Sequence, residues 1–345
     1  MDSLTAEELL IGPRGRRLCY SLIDQTHLQS WYRLGIGRAK PDAVVLKREL
    51  ASAVSDTDLV GIAGWRNPAQ FHNAFGRTVR SAMYWQPPHD EDRLLALSDL
   101  HEVLTPVAEA IASAPASQWW STPMVSEDQH FVQWLDRFPM DPPGAVDVEE
   151  RLRSWLTNHE AAEVDPSLPD DPTANFSGSW WSTPPTALVS TTRSLPGIGV
   201  VGLTLIEDGL GWTEAATWHL QPSQHARVYE IAGSEDWIEL AMSYPLDASR
   251  TRRQVWFQTT GLRGPWTIPN WALVADDYDA VHLTVAGYLT TAGRALEVAE
   301  ASTLLGGWCP DQTFWLSHTP QQIGPSRRWN VAQDGRGGST ATLAG

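Results

Sequence analysis

Hydrophobic spacing changes character once along this chain, near Ala114-Pro115, and that switch constrains the fold more than any motif does. Before it, apolar residues recur three and four positions apart through 24–34, 42–55, 67–85 and 91–114, which gives a helix one buried face. Asn67-Pro68 and Asp90 supply helix starts. Thr5 and Glu8 form a capping-box pattern ahead of Leu9-Leu10, so a short helix is expected to open the chain. One run, 16–23, reads as a strand.

Past the switch the runs shorten. A strand is predicted at 130–135, a Pro-rich turn at 139–143 and a helix at 147–163 with Leu152, Trp155 and Leu156 on one face. Residues 164–175, rich in Asp and Pro, read as a surface loop. Further strands are predicted at 186–192, 200–206, 226–232, 254–260, 280–290 and 313–317. Helices are predicted at 234–243, capped by Ser234, and at 270–277. The pattern predicts an α+β fold. A helical part (1–115) packs on a mixed or antiparallel sheet in a Trp-rich part (116–330), and a Gly-rich tail (331–345) is flexible.

An apolar content of 42 % with 19 % charged residues belongs to a globular chain, one large domain or two medium ones. The net charge of −16 argues against a nucleic-acid partner, because an acidic surface repels a polyanion. No apolar run approaches the roughly 20 residues that span a bilayer, so no membrane partner is expected. The acidic start, Met1-Asp2-Ser3, is unlike a signal peptide and points to the cytoplasm. Cys19 and Cys309, the two cysteines, are expected as reduced thiols, and without Cys-x-x-Cys spacing no thiolate zinc site is expected.

Tryptophan is abundant, 18 of 345 residues, and Trp-Trp-Ser-Thr-Pro occurs at 119–123 and again at 180–184. Trp31, Trp65, Trp85 and Trp155 lie on predicted helices and are expected in the core. Those near strand ends, Trp119, Trp120, Trp180, Trp181 and Trp266 among them, are expected to line a cleft where a ring face can stack on a ligand. Each pentapeptide is expected to be an edge strand ended by its Pro.

Gly12 to Cys19, Ala174 to Trp181 and Tyr278 to Thr284 together resemble a group of Trp-rich proteins of actinobacterial type that has no established activity. Ser190-Thr191-Thr192, followed forty residues on by Val228-Tyr229-Glu230, resembles the Arg-Ser-Glu class of ADP-ribosyltransferases. That resemblance implies an NAD pocket supported by the Ser/Thr strand, Glu230 steadying an oxocarbenium-like ribosyl, and an upstream Arg at Arg137 or Arg153. The chain departs from the class at Val228, where Glu or Gln is usual.

The Gly197-Ile198-Gly199-Val200-Val201-Gly202 string follows Pro196 and precedes a β-like run, so it reads as a turn and not as a dinucleotide fingerprint. Asp276, Asp277 and Asp279 beside His282 suit either a hard cation or, through Asp279 and His282, acid–base work. These readings converge on a small-molecule-binding protein with a Trp-lined cleft, an enzyme if Glu230, His282 or Asp279 transfers protons and Arg193 contacts an anion or carbonyl. The alternatives are a ribosyltransferase and a non-catalytic interaction module. Cofactor and oligomeric state are not legible.

Overall fold

The computed structural model describes residues 4–27, 43–136, 147–207, 209, 211–333 and 338–344. Trp31, Arg137, the turn at 139–143 and most of the 24–34 helix lie outside them.

The helical front begins as its sequence dictates. The Thr5 hydroxyl accepts from the Glu8 N–H at 3.2 Å and the Glu8 carboxylate accepts from the Thr5 N–H at 2.8 Å, opening the helix Ala6–Ile11. Pro13 then starts the helix Pro13–His27, where its fixed φ and missing N–H do no harm. Residues 16–23 are therefore helix where a strand was expected. The buried set Leu18, Cys19, Leu22 and Ile23 follows the helical period, and Arg16 reaches back to cap the Leu10 and Ile11 carbonyls, at 2.7 Å each. The helices Ala43–Ser55, Leu59–Ala63, Ala69–Arg80, Asp90–Leu95 and Ser98–Ser113 follow. The single helix expected over 91–114 is two, separated at Ala96-Leu97.

Strands occupy β1 (Gln129–Trp134), β2 (Ser190–Thr192), β3 (Ser194–Leu195), β4 (Gly199–Val200), β5 (Glu214–Gln221), β6 (Val228–Ile231) and β7 (Pro245–Asp247). Then come β8 (Thr267–Pro269), β9 (Ala280–Leu283), β10 (Leu296–Val298), β11 (Ala301–Thr303), β12 (Gln312–Trp315), β13 (Gln321–Gln333) and β14 (Ser339–Leu343). Eight of them form one sheet in the order β14-β13-β5-β1-β2-β12-β9-β6, antiparallel except for the β6–β9 pair. Helices in front and a mixed sheet behind make an α+β fold.

The sheet has two distinct faces. Ile231, Val281, Leu283 and Phe314 point into the main core, with Leu18, Leu104 and Ile111 from the helices. Phe131, Val189, Leu220, Ala280 and Trp315 form a smaller cluster on the other face. Because side chains alternate, Glu230, His282, Thr313 and Thr191 share that second face. The helix Val285–Thr291, capped by the Thr284 hydroxyl, can approach β6 because position 287 is glycine: a Cβ there would sit 2.2 Å from the Ile231 carbonyl oxygen.

Several expected strands resolve differently. Residues 253–260 form a helix, Arg253–Thr260, ended by Gly261 at φ 75°; it buries Val255 and Trp256, so packing overrides a strand-like composition. The run 280–290 is β9 followed by the capped helix. The run 200–206 supplies only Val200 to β4 and then a 3₁₀ turn, Val201–Leu203. The Gly-rich string makes the β3–β4 hairpin, with Gly197 and Gly199 at φ 77° and 82°. Ser234 is the first residue of its helix, not the cap; Asp236 reaches back to the Ala232 and Gly233 N–H groups instead. In the tail expected to be flexible, β14 pairs with β13, and Ser339 is held by His72 (3.1 Å to its carbonyl) and by Arg80.

Candidate functional site

The register of four adjacent strands builds a line of charge on the second face. Glu230 (β6) opposes His282 (β9), His282 opposes Thr313 (β12), and Thr313 opposes Thr191 (β2). Two residues beyond those last positions, and still on the same face, Asp311 faces Arg193. His282 Nδ1 lies 2.5 Å from Glu230 Oε2 and its Nε2 lies 3.4 Å from Asp311 Oδ1. Arg193 Nε donates to Asp311 Oδ1 at 2.5 Å.

This line is buried except at one end. His282 is fully buried, Asp311 and Arg193 nearly so, and 22 % of the Glu230 side chain is exposed. Burial opposes a charged imidazole, but hydrogen bonds to Asp311 and Glu230, and their charges, outweigh it and raise the His282 pKa above 6.5. With a carboxylate oxygen facing each nitrogen, the protonated ring can donate at both.

The first Trp-Trp-Ser-Thr-Pro closes over this line. Trp119 and Trp120 lie in the 3₁₀ turn Pro115–Ser121, and the chain leaving it gives Arg193 three acceptors: the Thr122 hydroxyl at 2.6 Å, the Thr122 carbonyl at 3.3 Å and the Pro123 carbonyl at 3.0 Å. The guanidinium also sits 5.5 Å from the centroid of Trp119. One residue further on, the Met124 N–H donates to Glu230 Oε1 at 3.0 Å.

Glu230, His282 and Arg193 are thus brought together, and Asp311, unsuspected from sequence, joins them. Its signal is local: Pro310-Asp311 is a turn directly before a strand, and Asp311 holds φ 62°, a conformation Asp tolerates better than most residues. Asp279 is elsewhere. Its side-chain bond to Arg227, with further bonds to the Arg227 N–H and the Ser317 hydroxyl, lowers its pKa to about 2. Asp277 accepts from the Tyr244 hydroxyl at 2.6 Å. Among the described residues no three His, Cys, Asp or Glu side chains are grouped to hold a metal ion.

The tryptophans divide differently from the sequence expectation. Trp120 is buried against Phe71 and Phe75, and Trp266 against Trp256. Trp85, expected in the core, is exposed. Trp180 is half-buried, edge-on to the exposed Trp181 at 5.9 Å. Their segment has no regular structure, so neither pentapeptide is an edge strand; its carbonyls take hydrogen bonds from Trp256 Nε1 (2.9 Å) and Arg252 (3.1 Å). A hollow of about 420 Å³ borders Trp266, with Asp170, Arg253 and Arg263 at its rim.

Of the ribosyltransferase pattern, the Thr191 hydroxyl is bonded to Gln129 and Trp315, and the Ser190 hydroxyl accepts from Gln312. Two strands, β12 and β9, separate β2 from β6. Arg153 is exposed on the helix Val148–Glu163 and pairs with Glu149 and Glu150. Comparison with known protein families, curated proteins and solved structures finds no match to this chain. No helix among the described residues is long and apolar enough to cross a membrane.

Proposed function

We propose that the protein is an enzyme that binds a small organic molecule at the open end of the Glu230–His282 pair and moves a proton to or from it. The observation that carries this reading is one buried imidazole clasped between two carboxylates, of which only Glu230 meets solvent. Such an arrangement sets one buried imidazole with a raised pKa against a single accessible carboxylate, a recurrent mark of acid–base sites. Glu230 is the group that contacts substrate and exchanges the proton. His282 and the Met124 N–H fix its two oxygens, and the Asp311–Arg193 pair positions His282 from behind.

The test is a turnover screen. Wild type and Glu230→Gln are incubated in D₂O with small esters, amides, glycosides, carbonyl acids and NAD, and followed by ¹H NMR. Turnover or deuterium incorporation that falls about 10²-fold or more in the variant supports proton transfer at Glu230. Nicotinamide release alone, lost in the same variant, would assign ribosyl transfer. Turnover indifferent to the substitution, or binding without any conversion, would sink the enzymatic reading.

A further inference from the structure

A second cavity, of about 500 Å³, lies between the N-terminal helices and the segment that follows Val285–Thr291, and shares no residue with the site above. Its volume falls within the range of small-molecule pockets, about 300–1,000 Å³. Four arginines line it, Arg14, Arg16, Arg93 and Arg294, against one carboxylate, Asp92. In a chain of net charge −16 this is a local inversion of sign.

That carboxylate is already shared. Asp92 lies 2.9 Å from Arg14 Nη2 and 3.4 Å from Arg17 Nη1. Arg93 pairs with the exposed Asp90 at 3.3 Å. Arg16, 8 % exposed, and Arg294 donate to neutral oxygens: Arg16 to the Leu10 and Ile11 carbonyls, Arg294 to the Ser234 hydroxyl (2.7 Å) and the Thr290 carbonyl (2.8 Å). Those bonds orient the guanidinium groups without neutralising them. Nε of Arg14 and of Arg16, and the Tyr84 hydroxyl, are buried with no hydrogen-bond partner among the described residues.

Burying like charges side by side is costly, and Arg16 registers the cost: burial, with Arg14 and Arg294 nearby, pushes its pKa down to about 10. An anion in the cavity relieves that repulsion. The walls are also fixed in advance. Tyr84 is pressed against Gly293, where a Cβ would meet its ring at 2.5 Å and where φ is 78°, so only glycine fits. Met83, Tyr84 and Pro88 give the cavity an apolar side that free inorganic phosphate cannot use.

We infer that this cavity binds a small organic anion, its carboxylate or phosphate held by Arg16 and Arg294 and its apolar body resting on Met83, Tyr84 and Pro88. Arginine suits either oxyanion, since its planar fork matches both.

Isothermal titration calorimetry with phenyl phosphate, benzoate, inorganic phosphate and neutral benzyl alcohol tests this on the full chain. Phenyl phosphate or benzoate is expected to bind with salt-sensitive affinity, at least tenfold tighter than benzyl alcohol. Which of the two binds tighter identifies the oxyanion. Arg294→Met, at a half-buried position, is expected to weaken binding about tenfold or more, and so is Ala96→Trp, which fills the cavity from an exposed position. The inference is overturned if neither organic anion binds more tightly than about 10 mM, if the neutral alcohol binds equally well, or if both variants bind as wild type does.

Discussion

Asp311 and Arg193 meet at two points: the Arg193 backbone N–H donates to Oδ2 at 2.9 Å while its Nε donates to Oδ1 at 2.5 Å. One carboxylate thus fixes both the end of β2 and the guanidinium beyond it, and the oxygen that takes Arg193 Nε also faces His282 Nε2 at 3.4 Å.

Removing one member of a buried ion pair strands the other charge, at a cost of about 3–5 kcal/mol. Asp311→Asn keeps the shape and the tolerance for a left-handed backbone, so its loss of stability in urea unfolding reports the charge. Arg193→Met is expected to cost a similar amount, and the double variant less than the sum. Single-variant losses below about 1 kcal/mol would contradict the geometry.

His282 carries a definite pH signature. Its pKa is raised in the folded protein, so its stabilisation is complete below the unfolded value of 6.5 and is lost as pH rises through the folded value. The stability difference between wild type and His282→Asn should therefore shrink at alkaline pH. The imidazole ¹H resonance of the wild type, titrating above 6.5, checks the same point without a variant.

His159 behaves in the opposite sense. Its Nε2–H donates to the Asp247 carbonyl at 2.6 Å, leaving Nδ1 to accept from Arg252 at 3.3 Å, and burial with Arg252 alongside lowers its pKa. The neutral form is the folded one, so stability falls as pH drops from 6.5 through the lower folded value. His159→Gln is expected to flatten that part of the urea-midpoint profile; an unchanged slope would mean that His159 does not titrate there.

Gly287→Ala should be far more costly than Gly264→Ala. The first drives a methyl group into the Ile231 carbonyl at 2.2 Å, whereas the second meets nothing within 4 Å. About 1–3 kcal/mol is expected for such overpacking, read as a lower Tm. Equal Tm values for the two variants would disprove the close approach of that helix to β6.

Neither thiol should react readily in the native protein. Burial pushes the Cys309 thiol up to about 12 and Cys19 higher still, and only the thiolate is nucleophilic. Ellman's reagent is expected to titrate both after urea and neither quickly before it.

The helical front was legible because capping boxes and a 3.6-residue period are local signals, as at Thr5 and Glu8. Residues 16–23 and 254–260 misled because short apolar runs satisfy both periods, and packing decides between them. The Trp doublets misled for a related reason: what holds Trp119 and Trp180 in place is a buried arginine or indole from far along the chain. Glu230, His282 and Arg193 stood out by residue type. Asp311 did not, because its role exists only once β12 is in register.

That register has a temporal side. β12 sits between β2 and β9 although it is made after both, and the Arg193–Asp311 contact spans 118 residues. A ribosome releasing this chain from its N-terminus leaves Arg193 uncompensated until Asp311 emerges, so the helical front can consolidate early while the centre of the sheet must wait. A nascent chain halted before residue 311 would hold every other member of the charge line and still lack the one that joins them.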